Sequence, residues 1–146
     1  MNNVESLREG YAAFARADLD TIREKLAEDV VWHVPGRSSL AGDYRGIDAV
    51  FGYFGELFTR SGGTFKAELR ECGQIAPDLV ACLVHISGTM TAGEVDQDVM
   101  QLFKRQDDKT VEVWNFSSDQ YAIDEAEGPV SISLPDARSA DQPVTA

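Results

Sequence analysis

The side chain best placed to do chemistry is the carboxylate of Asp119, near the end of the segment VEVWNFSSDQYAID. Trp114, Phe116 and Tyr121 lie close to it in the chain, so a carboxylate at the inner end of a curved sheet there would be poorly solvated. Poor solvation is one way in which a carboxyl becomes a general acid or base near neutral pH. The sequence thus favours Asp119 as a catalytic residue, and the alternative is a solvated aspartate that ends a strand.

Two histidines are further candidates for acid–base or hydrogen-bonding roles. His33 follows Trp32 in VVWHV, and His85 lies in the strongly apolar segment LVACLVHIS. We take His33 as a second catalytic candidate and His85 as a ligand-binding one, although a lone histidine in a strand is more often structural. Two histidines without partnered spacing, and Cys72 and Cys82 without a C-x-x-C motif, predict no metal site.

Aromatic and loop residues are candidates for the wall and mouth of a pocket. Trp32 and Trp114 are the best of these, because an indole N–H needs a polar partner when it is buried. Phe116 would add a flat apolar surface beside them. Tyr44 and Arg45 precede an apolar helical segment, and Arg45 at the mouth would meet an anionic or carbonyl-bearing ligand, with a surface salt bridge as the alternative.

Apolar periodicity predicts the elements that must position these residues. Spacings of three and four predict helices at 4–14, 19–26 and 47–58, and β-branched or alternating patterns predict strands at 30–34, 65–69, 79–86, 95–104 and 111–118. Helices in the N-terminal half followed by a meander of long antiparallel strands define an α+β fold. A strongly curved antiparallel sheet with three helices against it would enclose a cone-shaped pocket.

Such a sheet has helices on one face only, so we expect the other face to be covered by a second copy in a homodimer. The alternating segments 65–69 and 95–103 would supply that surface. We expect one domain over residues 1–128 and a weakly ordered tail over 129–146, because the tail has no usable periodicity.

Charge and composition limit the classes of partner that the protein is expected to bind. The 146 residues include 25 Asp and Glu against 13 Lys and Arg, and the formal net charge of −12 disfavours nucleic acid and anionic membrane surfaces. The first residues, MNNVESLREG, do not resemble a signal peptide, and no apolar run reaches the roughly 20 residues of a membrane span. A cytoplasmic location is therefore expected.

Four motifs in order resemble the SnoaL-like branch of the NTF2-like superfamily, which includes ketosteroid isomerases, limonene epoxide hydrolases and polyketide cyclases. They are YAAFARADLD, VVWHVPG, YRGIDAV and VEVWNFSSDQYAID, and the resemblance covers about residues 4–127. It implies a cone-shaped barrel that is usually a homodimer packed through its sheet. The fold does not fix the function, because unrelated chemistries and plain binding proteins share it.

The chain resembles ketosteroid isomerases but lacks their catalytic residues. The position before Pro35, where those enzymes carry an aspartate base, is Val34. Their oxyanion-site tyrosine and protonated aspartate fall at about Gly10 and Met100. We therefore expect no ketosteroid isomerase activity.

The other two enzyme groups are matched in part, and both matches lead to Asp119. It follows Trp114 by five residues, as in the epoxide hydrolases, but their Arg-x-Asp pair has no counterpart here. It precedes Gly128 by nine residues, as the acid–base aspartate of the cyclases does. The histidine of the cyclases falls at Gln101, which is suited to hydrogen-bond a carbonyl.

Two functions follow from these residues. One is a cofactor-free enzyme that acts on a hydrophobic, oxygenated small molecule of polyketide, terpenoid or steroid type, with Asp119 as acid or base aided by His33, Gln101 or Tyr44. The other is a non-catalytic small-molecule binding protein that uses the same pocket. Neither requires a cofactor.

Overall fold

The structure, a computed structural model, describes residues 1–129. Within them lie four helices and six strands: α1 (Asn3–Ala15), α2 (Leu19–Lys25), β1 (Leu26–Val34), β2 (Gly42–Arg45), α3 (Ile47–Arg60), β3 (Lys66–Ala76), β4 (Leu79–Met90), β5 (Gly93–Gln106), β6 (Lys109–Ser117) and α4 (Gln120–Glu127). The α+β class is confirmed. The expected tail, residues 129–146, lies outside the described residues except for Pro129, which pairs with Ser38.

The six strands form one curled, unclosed sheet in the order β2-β1-β6-β5-β4-β3. Neighbouring strands are antiparallel except for β1 and β6, which are parallel. The expected meander of four antiparallel strands is confirmed for β3 to β6, and β1 joins it through a parallel pairing with β6. Parallel neighbours need a long crossover, and here the chain between β1 and β6 contains α3 and three long strands.

Two elements were not anticipated from the sequence. Strand β2 spans four residues of a polar stretch for which no strand was predicted, and it pairs with β1 through Tyr44 opposite Trp32. Helix α4 follows the last strand, in a stretch between that strand and the tail for which no helix or strand was predicted. Both are too short to show a clear apolar period, and pairing or packing against longer elements stabilises them.

Local sequence fixes the starts of the first two helices. Asn2 and Glu5 form a capping box, with Asn2 Oδ1 accepting from the Glu5 N–H at 2.8 Å and Glu5 Oε1 accepting from the Asn2 N–H at 3.0 Å. Asp18 caps α2 by accepting from the Thr21 N–H at 3.1 Å. These bonds satisfy backbone donors that an uncapped helix would leave unpaired.

The core lies between the concave face of the sheet and the helices. Alternate residues of the long strands, such as Val84, Val99, Phe103 and Val113, are buried on that face. Helix α1 packs against β3, α3 against β1 and β2, and α4 against β5 and β4. Within the 95–103 segment, which was expected to supply a partner surface, Val95, Val99 and Phe103 face the core, whereas the even-numbered residues, Met100 included, face outward.

Two cysteines lie opposite each other in the middle of neighbouring strands. Cys72 on β3 and Cys82 on β4 are register partners, and their Sγ atoms lie 2.9 Å apart as free thiols. Burial raises the pKa of the Cys82 thiol. The pair therefore behaves as small apolar packing between strands.

Arg105 is a buried cation that ties the ends of four elements together. Its side chain, on β5, belongs to a residue that is only 4% exposed. The guanidinium donates to Ser6 Oγ at 2.9 Å, Thr110 Oγ1 at 3.0 Å and the Asp108 carbonyl at 3.1 Å, with longer bonds to Asn3 Oδ1 and the Lys25 carbonyl. Hydrogen bonds thus replace a carboxylate partner, and they hold α1 and the end of α2 on the β5–β6 turn.

No helix of the described residues is long and apolar enough to cross a membrane.

Candidate functional site

A cavity of about 130 Å³ lies between the concave face of the sheet and all four helices. Its wall is mainly apolar and includes Phe14, Ile22, Phe54, Leu57, Phe65 and Phe103. An engineered cavity of about 150 Å³ with a similar lining binds benzene. The cavity therefore has room for a molecule of about one ring.

Trp32 places an unpaired hydrogen-bond donor in this apolar surrounding. It projects from the inner face of β1, is 8% exposed, and packs edge-on against Phe54 and Phe103, with ring centroids 5.2 Å and 6.1 Å away. Its Nε1 is buried and has no hydrogen-bond partner among residues 1–129. Leaving a buried donor unpaired costs about 1–3 kcal/mol, so the indole N–H favours an acceptor in the cavity.

A chain of polar side chains crosses another part of the wall. The Tyr11 hydroxyl donates to Gln101 Oε1, Gln101 Nε2 donates to Asn115 Oδ1 at 2.7 Å, and Asn115 Nδ2 donates to the His33 carbonyl at 2.8 Å. Tyr11, Gln101 and Asn115 all line the cavity. Burial raises the pKa of Tyr11 well above its usual value, so its hydroxyl stays a donor. This direction of donation fixes which way both amides point.

Glu127 adds a buried carboxyl to the wall. Gln120, Ile123 and Glu127 share one face of α4 and all line the cavity. Glu127 is 7% exposed, and its Oε1 accepts from the Ser38 hydroxyl at 2.6 Å. Burial raises the pKa of the Glu127 carboxyl. The side chain is therefore an acid held in an apolar site, with a proton affinity above that of an exposed glutamate.

Tyr11, Asn115 and Glu127 were missed as site residues by the sequence analysis. Tyr11 is one residue from the position matched to the isomerase tyrosine, and Asn115 lies between Trp114 and Phe116 in a pattern where the aromatic residues carry the stronger signal for a pocket. The signal for Glu127 was the 120, 123, 127 spacing after Asp119, which is typical of one helix face.

Of the predicted site residues, Trp32 and Gln101 line the cavity, whereas Trp114 and Phe116 do not. Side chains alternate along β6, so Val113, Asn115 and Ser117 share the inner face, with Asn115 and Ser117 in the cavity wall. Trp114 and Phe116 consequently lie on the outer, convex face.

His33 also lies on the outer face, on the opposite side of β1 from Trp32. Its Nδ1 is 2.7 Å from Asp43 Oδ1, its Nε2 is 2.6 Å from Glu112 Oε2, and its ring stacks on Trp114 at 5.7 Å. The hydrogen bond to Glu112 is the main cause that raises the pKa of His33. The residue is held between two carboxylates away from the cavity.

His85 repeats this arrangement at the other end of the outer face. Its Nδ1 is 2.8 Å from Asp98 Oδ1 and its Nε2 is 2.6 Å from Asp96 Oδ1. Hydrogen bonds to Asp98 and then Asp96 raise the pKa of His85. It therefore lies outside the cavity wall, beside two acids of β5.

The remaining three predicted residues also lie outside the cavity wall. Asp119 is exposed and caps α4, with its Oδ1 accepting from the Ala122 N–H at 3.1 Å. Tyr44 is partly buried and donates to the Leu40 carbonyl at 2.7 Å. Arg45 is exposed on the edge strand. The structure thus separates Asp119 from the aromatic surroundings expected for it, because the chain leaves the sheet after β6.

A metal centre is not apparent, since residues 1–129 contain no group of three His, Cys, Asp or Glu side chains arranged to hold an ion.

Comparison with known proteins identifies relatives of the same architecture. The chain is 33% identical to Bal32a from a soil-derived mobile gene cassette, covering 86% of this chain and 95% of that one, with a TM-score of 0.81. An NTF2-like protein of Burkholderia pseudomallei K96243 is 21% identical, covers 87% of this chain and 98% of that one, and has a TM-score of 0.75.

Curated relatives match over a shorter stretch. An uncharacterized protein of Mycobacterium tuberculosis H37Rv, Rv0034, is 36% identical over 69 residues, 47% of this chain. The match spans about half, 53%, of that relative's own length. The SnoaL-like domain family matches residues 7–113, from within α1 to within β6. With most of the chain matched, this protein belongs to the SnoaL-like family of the NTF2-like fold.

Proposed function

We propose that the cavity binds a small hydrophobic molecule that carries a hydrogen-bond-accepting oxygen. The observation that carries this proposal is the buried, unpaired N–H of Trp32 in an apolar wall. An apolar guest alone would leave that donor unpaired, whereas a carbonyl or ether oxygen would accept from it. Small-molecule sites typically combine an apolar lining with a few placed polar groups, and this wall has that composition.

The size of the cavity limits the guest. With about 130 Å³ it is smaller than the roughly 300–1,000 Å³ of sites for drug-sized ligands. A monocyclic terpenoid, phenol or ring ketone fits this scale, whereas a four-ring steroid would require the walls to move apart. Among polyketide, terpenoid and steroid types, the single-ring members are therefore favoured.

The polar chain supports a second point of recognition. Gln101 and Asn115 each use one amide N–H within the chain, which leaves the second N–H of each for a guest or water. Because Tyr11 fixes the orientation of Gln101, these donors are held in place before a guest arrives. Pre-organised donors lower the cost of binding.

The first prediction tests the Trp32 donor with two probes of similar size. Trp32→Phe keeps an aromatic ring and removes the N–H, so we expect the Kd for cyclohexanone to rise about fivefold, the equivalent of one hydrogen bond. The Kd for toluene, which offers no oxygen, should change little. Both affinities are measured by saturation-transfer NMR.

Trp114→Phe is the matched control, because Trp114 lies on the outer face and should leave both affinities unchanged. It also leaves Trp32 as the only tryptophan of the chain, so its fluorescence reports directly on the cavity. Equal losses for cyclohexanone and toluene in Trp32→Phe would mean that ring packing, not the donor, holds the guest.

Asp119 provides the second prediction, since it was the catalytic candidate from the sequence. Asp119→Asn removes the charge and preserves a side chain that caps helices well. Because the carboxylate caps α4 at an exposed position, we expect cyclohexanone affinity to stay within about twofold and the melting temperature to change little. A large loss of affinity would show that Asp119 reaches the guest by a rearrangement of α4.

We further propose that the outer face of the sheet joins two copies in a homodimer. Leu83, Met100 and Phe116 are neighbours across β4, β5 and β6 and are 36%, 44% and 54% exposed. These large apolar side chains form a row on the sheet face that no helix of residues 1–129 covers. A two-fold axis through such a row would bury it against its own copy, as isologous interfaces do.

The third prediction tests this interface. Phe116→Glu places a charge in the middle of the row, so we expect sedimentation to show a shift from dimer to monomer at micromolar concentration. Because each chain carries a formal charge of −12, the wild-type measurement belongs in about 0.15 M salt, where repulsion is screened. Tyr121→Glu is the control, since Tyr121 is exposed on α4 and away from the sheet. A monomeric wild type would overturn the dimer.

A further inference from the structure

We propose that Glu127 is the catalytic acid–base residue of the cavity and exchanges protons with a ring ketone bound beside it. This inference rests on the proposed function, because it needs a guest in the cavity. It places the proton chemistry on α4, eight residues after the aspartate that the sequence favoured.

The position of Glu127 supports a role at the guest and not at the surface. It follows Gln120 and Ile123 on the helix face that closes the cavity, and it is buried among apolar groups. Its Oε1 is held by the Ser38 hydroxyl, and Ser38 Oγ in turn accepts from the Leu40 N–H at 3.2 Å. That second bond orients the Ser38 proton towards Glu127.

The other carboxyl oxygen has no such partner. Among residues 1–129 no side chain or backbone group donates a hydrogen bond to Glu127 Oε2, and Arg60, whose charge acts on Glu127, bonds instead to Glu56 and Ser39. One oxygen is thus anchored while the second is left for a guest. Trp32 Nε1 is the one fully buried polar side-chain atom without a partner among residues 1–129, so Glu127 Oε2 keeps some accessible surface that a guest or water can reach.

The surroundings set its proton affinity. Burial raises the pKa of Glu127 and the charge of Asp124 adds to this, whereas the Ser38 hydrogen bond and the charge of Arg60 oppose it. The phenols of Tyr44 and Tyr53 lie nearby and stay protonated, because burial raises the pKa of each. A carboxyl with a raised pKa exchanges protons more effectively near neutral pH than an exposed glutamate.

The chemical step is a redox-neutral proton transfer. The carboxylate of Glu127 takes a proton from the carbon next to the ketone, and the C–H electron pair becomes the C=C bond of an enolate. The carbonyl π pair moves onto oxygen, where a donor such as the Trp32 N–H stabilises the negative charge. The Glu127 carboxyl exchanges its proton with water and then returns a solvent proton to carbon, which restores the ketone, so no oxidant, reductant or metal takes part.

The fourth prediction follows this exchange directly. Cyclohexanone is incubated with the protein in D₂O, and loss of its α-hydrogen signals is followed by proton NMR against a protein-free blank. We expect wild type to accelerate exchange, with a rate that rises with pH as Glu127 ionises. Glu127→Gln should lower the protein-catalysed rate by a factor on the order of 10² or more and abolish that pH dependence.

Matched measurements separate catalysis from folding and from binding. Glu125→Gln changes an exposed glutamate of the same helix and should leave the rate unchanged. Glu127→Gln keeps the shape and can still accept from Ser38, so it should bind cyclohexanone by saturation transfer. Binding without exchange in wild type would overturn the assignment of Glu127 and leave the proposed pocket standing. Absence of binding in wild type would overturn both.

The fifth prediction checks the protonation state of Glu127 without any guest. Because its pKa is raised in the folded state, the folded chain keeps a proton over a pH range in which the unfolded chain has lost it. Its contribution to the free energy of unfolding is therefore full below about pH 4.5, the unfolded value, and declines as pH rises through the raised pKa.

Urea unfolding of wild type and Glu127→Gln at several pH values measures this decline. The stability of the variant relative to wild type should increase as pH rises, because glutamine does not titrate. The histidines and other acids are common to both proteins and cancel in the difference. A difference that stays constant with pH would show an ordinary, solvated Glu127 and would overturn the proposal.

Discussion

Successive side chains of a strand point to opposite sides of the sheet, and in this protein both sides carry apolar residues. The inner side holds Val84, Val99 and Phe103 against the helices, and the outer side carries Leu83, Met100 and Phe116 in an exposed row. A one-residue shift in the register of β5 would exchange these two sets. Pairing of β5 with both β4 and β6 through long ladders prevents that shift. The register of β5 therefore determines both which of its residues face the cavity and which form the outer face.

This constraint explains how far the sequence could predict the site. Apolar periodicity was sufficient for the α+β class and for most helices and strands, because long amphipathic elements repeat their signal several times. It could not assign Trp114 and Phe116 to a side, since an aromatic residue suits a pocket and an interface equally well. The inner residues of β6 include Asn115 and Ser117, which resemble a solvated face in sequence although they line a cavity. Hydrophobicity alone gives the wrong face for such a strand.

Some polar groups inside the protein stabilise the fold, and others lie at the cavity where a guest could contact them. Arg105 makes all of its described hydrogen bonds to groups of α1, α2, β6 and the β5–β6 turn, so it stabilises one end of the fold. At the cavity, Trp32 Nε1 is buried without a partner among residues 1–129. Buried polar groups are normally satisfied, and an exception calls for an explanation. Because the same protein satisfies the guanidinium of Arg105 with five hydrogen bonds, the unpaired N–H at the cavity is the more informative.

The two acids at the ends of α4 show why chain position is a poor guide to catalytic role. Asp119 precedes the helix, where its carboxylate accepts from a free backbone N–H and remains in contact with water. Glu127 ends the helix two turns later, and the inward-facing side chains of Gln120 and Ile123 lead directly to it. Burial stabilises the neutral form of a carboxyl. An acid–base group must pass between its charged and neutral forms near neutral pH, and burial raises the pKa of Glu127 beside the cavity. Which acid can transfer a proton to a guest therefore depends on which face of α4 lines the cavity. That face is known only once the packing of α4 against the sheet is known.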